Sequence, residues 1–91
     1  MNFEYDENKS KINKSKHGID FEEAKELWED PYSFEVASPQ SEDEERFLVL
    51  GQISSKNYTA ITTYRNENIR IISVRRSREK EIKLYESIRA R

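Results

Sequence analysis

The stretch Asp20-Phe21-Glu22-Glu23-Ala24-Lys25-Glu26-Leu27-Trp28-Glu29-Asp30-Pro31-Tyr32-Ser33-Phe34-Glu35-Val36 contains the change of period that decides the fold class. Its first part is helical. Asp20 followed by Glu23 has the form of a capping box, in which cap and third residue satisfy each other's backbone amides. Ile19 precedes the cap and can staple to Ala24. Phe21, Ala24, Leu27 and Trp28 recur at helical spacing and make one apolar face. Asp30-Pro31 then stops the helix, because proline disfavours helical backbone in the residue before it. From Ser33 the pattern alternates with period two, and Ser33-Phe34-Glu35-Val36 reads as a strand.

Toward the N-terminus, Phe3-Glu4-Tyr5 reads as a short edge strand. Asp6 is a good cap for a helix over 7–16, and Gly18 ends it by accepting the left-handed conformation. Ile12 is that helix's only clear apolar anchor, so most of its surface is expected to face solvent or a ligand. Toward the C-terminus, Ser38 to Glu45 is a polar, acidic loop. Phe47-Leu48-Val49-Leu50 is apolar on both faces, as in a central strand. Turns at 54–57 and 66–68 separate it from strands at 58–64 and 69–74, the former rich in β-branched and aromatic residues. A last helix is expected from Arg78 to Arg89, with Ser77 as cap and Ile82, Tyr85 and Ile88 or Arg89 on one face. Short turns between consecutive strands imply an antiparallel meander. The prediction is a single α+β domain over 1–91. Two N-terminal helices pack on a small antiparallel sheet of three or four strands, and a helix closes the chain.

Composition supports a folded chain. Leu, Ile, Val and Phe number 20 of 91 residues, just above the ~20% associated with disorder. Ten aromatic residues offer large areas to bury, and the net charge is only −2. The absence of cysteine excludes disulfides, thiolate nucleophiles and cysteine-based zinc sites. It suits a reducing compartment, and the expected location is the cytoplasm. No apolar run approaches the roughly 18 residues of a membrane span, and the N-terminus lacks the basic and apolar regions of a signal peptide.

The charge is unevenly spread. Residues 20–46 carry eleven acidic and two basic groups, whereas residues 65–91 carry nine basic and four acidic ones. Segregated charge sets a local field within a Debye length of about 8–10 Å. The plainer alternative is that both runs are solvated faces.

Three groups of residues offer chemistry. The first is Arg70-Ile71-Ile72-Ser73-Val74-Arg75-Arg76-Ser77-Arg78. Strand alternation puts Ile69, Ile71, Ser73 and Arg75 on one face and Arg70, Ile72, Val74 and Arg76 on the other. Arg75, at a strand end before a helix N-terminus, is well placed to hold phosphate, because a guanidinium fork matches phosphate oxygens. Alternatively these arginines cap the sheet edge and pair with the acidic stretch. The second group is Lys16-His17 at the end of a helix that also carries Lys14. Cleaving RNA without a metal needs an acceptor for the 2′-hydroxyl proton, positive charge on the phosphate, and an acid for the leaving oxygen. His17 with Arg75 and a lysine can fill these parts, although a lone histidine after a helix also commonly caps carbonyls or packs on the core. The third is Glu45-Arg46, as base and phosphate clamp, with pairing of Glu45 to a neighbouring-strand arginine as the alternative. One histidine, no cysteine and dispersed acids argue against a metal site. With only Gly18 and Gly51, no glycine-rich phosphate loop is possible. No cofactor is expected.

In their order and spacing these pieces resemble the BrnT ribonuclease toxins of bacterial type II toxin–antitoxin systems. The matching residues are Phe3-Glu4-Tyr5-Asp6, Asn13, Lys16-His17-Gly18-Ile19, Phe21-Glu22-Glu23-Ala24, Asp30-Pro31, Glu44-Glu45-Arg46-Phe47, Gly51, Ile69 to Arg75, Glu81 and Tyr85. Val74 and Ser77 stand where alanines are common, and the pI near 5.5 is low for a nucleic-acid binder. The resemblance implies a RelE-like fold and metal-independent cleavage of RNA that arrests growth. It also implies a BrnA-like ribbon-helix-helix antitoxin, with operator DNA engaged only through that partner. On this reading Arg75, His17, Lys16, Glu45 and Arg46 are the catalytic candidates, and Arg70, Arg76, Arg78 and Lys14 the RNA-binding ones. The competing reading is a module without catalysis, such as a corepressor in an antitoxin–operator complex.

Overall fold

A computed structural model describes residues 2–39 and 44–91. Five strands form one sheet: β1 (Phe3–Glu4), β2 (Phe34–Ala37), β3 (Phe47–Ile53), β4 (Lys56–Arg65) and β5 (Asn68–Arg76). Helix α1 (Glu7–His17) follows β1, α2 (Phe21–Ala24) precedes β2, and α3 (Glu79–Arg89) follows β5. The α+β class agrees with the sequence reading, but the sheet is larger and mixed. Its order is β1-β5-β4-β3-β2. β2 to β5 form the expected antiparallel meander, whereas β1 pairs in parallel with β5, Phe3 beside Ile69. The short edge strand read at Phe3-Glu4-Tyr5 joins the sheet beside β5 and makes it five-stranded rather than three- or four-stranded. Part of the predicted loop over 38–45, residues 40–43, lies outside the described residues.

Local chemistry explains most boundaries. Asp6 accepts from the Asn8 and Lys9 amides, and Gly18 closes α1 at φ 75°. Asp20 and Glu23 form the reciprocal capping box. Only one α turn follows before the chain tightens to a 3-10 segment, Lys25–Glu29. The face predicted there is nonetheless buried: Phe21, Ala24 and Leu27 pack with Ile19, Val49, Ala60, Ile71 and Val74. Asp30 ends the segment and ties three elements together, accepting from the Tyr32 amide, the Gln52 amide and the Tyr85 hydroxyl. Gly51 lies under this junction, where a Cβ would come within 3.1 Å of Leu27 and 3.3 Å of the Asp30 carboxylate. The turns at Ser54-Ser55 and Asn66-Glu67 hold all four residues at positive φ, as type I′ hairpin turns require.

Two expectations fail for identifiable reasons. Ile12 does not anchor α1; it is 58% exposed, while Ser10 and Asn13 are buried. The Ser10 hydroxyl accepts from the Phe21 amide. The Asn13 amide donates to the Ile19 and Val74 carbonyls, and its oxygen accepts from the Val74 amide. Asn13 thus takes the place of a neighbouring strand along the β5 edge, beyond the reach of the short β1. Secondly, the residue before α3 is Arg78 rather than Ser77. The Ser77 side chain is turned to β4, 2.8 Å from the Thr59 hydroxyl.

Candidate active site

An irregularity in β5 positions the site. Ile61 pairs with Ser73 but Thr62 pairs with Ile71, so Ile72 is an extra residue without a partner on β4. Such a bulge resets the alternation of side chains. Ile69, Ile71 and Val74 therefore share the face packed on α2, while Arg70, Ser73 and Arg75 share the opposite face. The face assignment expected from strict alternation is corrected beyond the bulge: Ser73 and Arg75 leave the face of Ile69 and Ile71 for that of Arg70, and Val74 joins Ile69 and Ile71. Across the sheet, Arg75 stands beside Thr59 and then Leu50, where the start of α3 covers it.

Arg75 is held in place there. Its Nη1 and Nη2 donate to Glu81 Oε1 and Oε2 at 2.8 and 2.9 Å. Glu81 Oε1 also accepts from the Thr59 hydroxyl at 3.0 Å and the Arg78 amide at 2.8 Å. Because the single Thr59 hydroxyl proton points to Glu81, Ser77 must donate to Thr59. The Arg75 hydrogen bonds, followed by those from the Arg78 amide and Thr59, outweigh burial and bring the Glu81 carboxyl down to about 2. The guanidinium is stabilised in turn by Glu81. Both groups are charged at every pH in which the protein works, and a two-point fork fixes the guanidinium plane.

In front of this pair lies a cleft of about 390 Å³, lined by Arg46, Arg75, Arg78 and Glu81 around an apolar floor of Leu48 and Ile61. Three arginines face one glutamate, so these side chains carry a formal charge of +2. Arg46 and Arg78 are exposed, and Arg75 is half-buried. This arrangement suits an anion with a flat apolar portion: phosphate at the rim, a base on the floor.

The other predicted residues fall elsewhere. Lys16 and His17 are exposed and line a second cleft with Lys9, Ile12, Asn13, Ile72 and Ser73, which shares no lining residue with the first. Lys14 pairs with Glu23 at 2.8 Å. Arg70 pairs with Glu4 at 2.9 Å. Arg76 lies over the Tyr58 ring and donates to the Asn57 carbonyl. The Glu45 side chain is exposed and its carbonyl accepts from Thr63; it is Glu44 that reaches Arg65, at 3.7 Å. Among the described residues the partner of Arg75 is Glu81, outside the acidic stretch 20–46. Glu81 carried one overlooked sequence signal: it stands three residues after the Arg78 cap, where a glutamate reaches back to the cap amide. Among the described residues, no three of His, Cys, Asp and Glu gather where they could hold a metal ion.

Comparison with known families gives this geometry its context. Residues 5–81 match the model of the ribonuclease toxin BrnT of type II toxin–antitoxin systems. The chain belongs to the BrnT family. The match covers α1, the whole meander and the start of α3 through Glu81, so every residue lining the arginine cleft falls inside it. No curated protein matches the chain. A BrnT protein is a ribonuclease toxin of a type II system, which implies an RNA target and an antitoxin partner. No helix among the described residues is long and apolar enough to cross a membrane.

Proposed function

We propose that this protein is a metal-independent endoribonuclease of the cytoplasm that arrests growth and is neutralised by a BrnA-like ribbon-helix-helix antitoxin. Arg75, Arg46 and Arg78 are assigned to the scissile phosphate. The observation that carries the reading is the fixed orientation of Arg75 in a cleft with two further, exposed arginines. Attack of the 2′-hydroxyl on the adjacent phosphorus breaks the bond to the 5′-oxygen and leaves a 2′,3′-cyclic phosphate and a 5′-hydroxyl. Negative charge grows on the phosphoryl oxygens as that bond forms. Preset guanidinium groups favour the transition state over the ground state, and loss of one such donor costs on the order of 10²–10³ in rate. Glu81, near 2, is a weak proton acceptor and acts through Arg75 as a positioning residue. We assign the 2′-hydroxyl proton to Glu45, the exposed residue preceding Arg46, and the leaving 5′-oxygen takes its proton from water.

Incubation of the purified protein with RNA in the presence of a chelator tests this. Fragments ending in 2′,3′-cyclic phosphate are expected; fragments that disappear with EDTA would overturn the metal-free route. Arg75→Ala is expected to abolish growth arrest while the fold persists. A second reading is favoured by one observation: both terminal nitrogens of Arg75 are already paired with Glu81. On that reading the cleft is structural and the protein is a corepressor in the antitoxin–operator complex. It wins if induced expression leaves growth and RNA intact while the toxin–antitoxin pair still binds operator DNA.

A further inference from the structure

The second cleft, between α1 and the β5 edge, contains charge that the first does not use. It encloses about 170 Å³, and Lys9, Lys16 and His17 surround Ile12 and Ile72. Lys9, Ile12 and Lys16 recur at helical spacing and occupy one side of α1. All of Lys9, Ile12, Lys16 and His17 are exposed, and neither Lys9 nor Lys16 forms an ion pair among the described residues. Lys14, on another side of the helix, is occupied by Glu23. This basic side therefore stays open while its neighbour is neutralised.

The two clefts adjoin. Ser73 lines the second cleft, and its partner across the ladder, Ile61, lines the first. Paired residues point to the same side of a sheet, so Ser73 and Ile61 face the same way. Arg75 lies two residues along β5 from Ser73, about 6.6 Å at a strand rise near 3.3 Å per residue. The Ile72 bulge sets this course, since without it both Ser73 and Arg75 would share the α2-facing side of Ile69 and Ile71. A strand of RNA with its scissile phosphate at Arg75 then crosses Ser73 and reaches Lys16, His17 and Lys9 within a few nucleotides.

We propose that the α1–β5 cleft is a second phosphate-binding subsite that holds the RNA backbone next to the scissile position, and that Lys16 and His17 serve binding rather than proton transfer. This rests on the ribonuclease reading. RNA is preferred over a protein segment as occupant because its charge is opposite to that of the cleft whatever its sequence. The subsite makes activity depend on RNA length: a substrate too short to reach α1 loses nothing when the cleft is altered.

The test compares wild type with the Lys9→Ala/Lys16→Ala double variant, changed only at exposed side chains. A 20-nucleotide RNA with a mapped cut and a trinucleotide spanning that cut serve as substrates. On the long RNA we expect KM to rise about tenfold with kcat unchanged, and on the trinucleotide no change in either. The slope of log affinity against log salt should fall by about 1.4, at roughly 0.7 per lost single-strand phosphate contact. A loss of kcat on the trinucleotide would return Lys16 to the chemistry and overturn the proposal, as would an unchanged KM on the long RNA. Binding of the fluorescent 20-mer, followed by anisotropy, gives a readout that does not need cleavage. If wild type cuts nothing but the double variant still loses salt-sensitive binding, the ribonuclease reading fails and the subsite stands. If RNA binding is unchanged and antitoxin binding weakens instead, the cleft is a protein dock and the proposal is wrong.

Discussion

Replacing Glu81 with glutamine removes the charge that orients Arg75 while keeping the side chain's size. Its effect on stability follows from the carboxyl's environment. A fall from 4.5 to about 2 corresponds to about 3 kcal/mol, at 1.36 kcal/mol for each tenfold change in the equilibrium. That is an upper limit. The Glu81 and Arg75 side chains are 14% and 19% exposed at the edge of an open cleft, and water screens them, so a cost of about 1–2 kcal/mol is expected at pH 7. The sign over pH is fixed. A lowered folded-state value means that the carboxylate stabilises the fold above about 4.5, and that this contribution disappears as the pH falls toward 2. Glu4, Asp6, Glu22, Glu23 and Asp30 are also lowered by their hydrogen bonds, so wild type alone does not isolate Glu81. The difference between wild type and Glu81→Gln does. Urea unfolding followed through Trp28, the only tryptophan, packed edge-on against Phe3, measures it. The gap should be about 1–2 kcal/mol at pH 7 and should close between pH 4.5 and 2. An equal urea midpoint at pH 7, or a gap that persists at pH 2, would refute the reasoning.

Other perturbations probe the frame around the site. Asn13→Asp keeps an acceptor for the Val74 amide but loses both donors and buries a charge, so a loss of about 2–4 kcal/mol is expected at pH 7; a smaller loss in acid and faster amide exchange at Val74 would accompany it. Tyr85→Phe leaves Asp30 without its 2.7 Å donor and should cost about 1 kcal/mol by thermal unfolding. In the hairpin turns, Ser55 at φ 67° and Glu67 at φ 77° hold a conformation that suits glycine, so Ser55→Gly and Glu67→Gly should each stabilise by about 0.5–1 kcal/mol in the urea assay. Among the described residues the Thr62 hydroxyl is buried without a partner, and Thr62→Val should raise the urea midpoint by about 1 kcal/mol equivalent; a lower midpoint would mean that the hydroxyl is satisfied.

Local chemistry was legible before any tertiary contact was known. Asp6, Gly18, the Asp20–Glu23 box and Asp30-Pro31 act within four residues of themselves, and each stands where it was expected. The residues buried from the second helix, Phe21, Ala24 and Leu27, follow from period alone even though most of that helix is wound as a 3-10 segment. The anchoring of α1 was not legible, because an asparagine that bonds to a strand sixty-one residues away carries no mark of burial in its own neighbourhood. Apolarity pointed to Ile12, and Ile12 is outside.

The cluster from Arg70 to Arg78 shows the division most clearly. Local pattern alone implies that a strand ends in arginines before a helix, since β-branched periodicity and helix signals are local. It could not place those side chains. One unpaired residue, Ile72, turns Ser73 and Arg75 away from Ile69 and Ile71 and onto the side of Arg70. A bulge is set by how β5 meets β4, not by the residues of β5 alone. It could not choose Glu81 over the many acids of 20–46 as the partner of Arg75 either, because that choice depends on where α3 docks. Nor could it separate Lys16 and His17 from Arg75, since their distance is set by α1 lying along the β5 edge. Short-range hydrogen bonds and hydrophobic period fix the elements; long-range register fixes which charges meet.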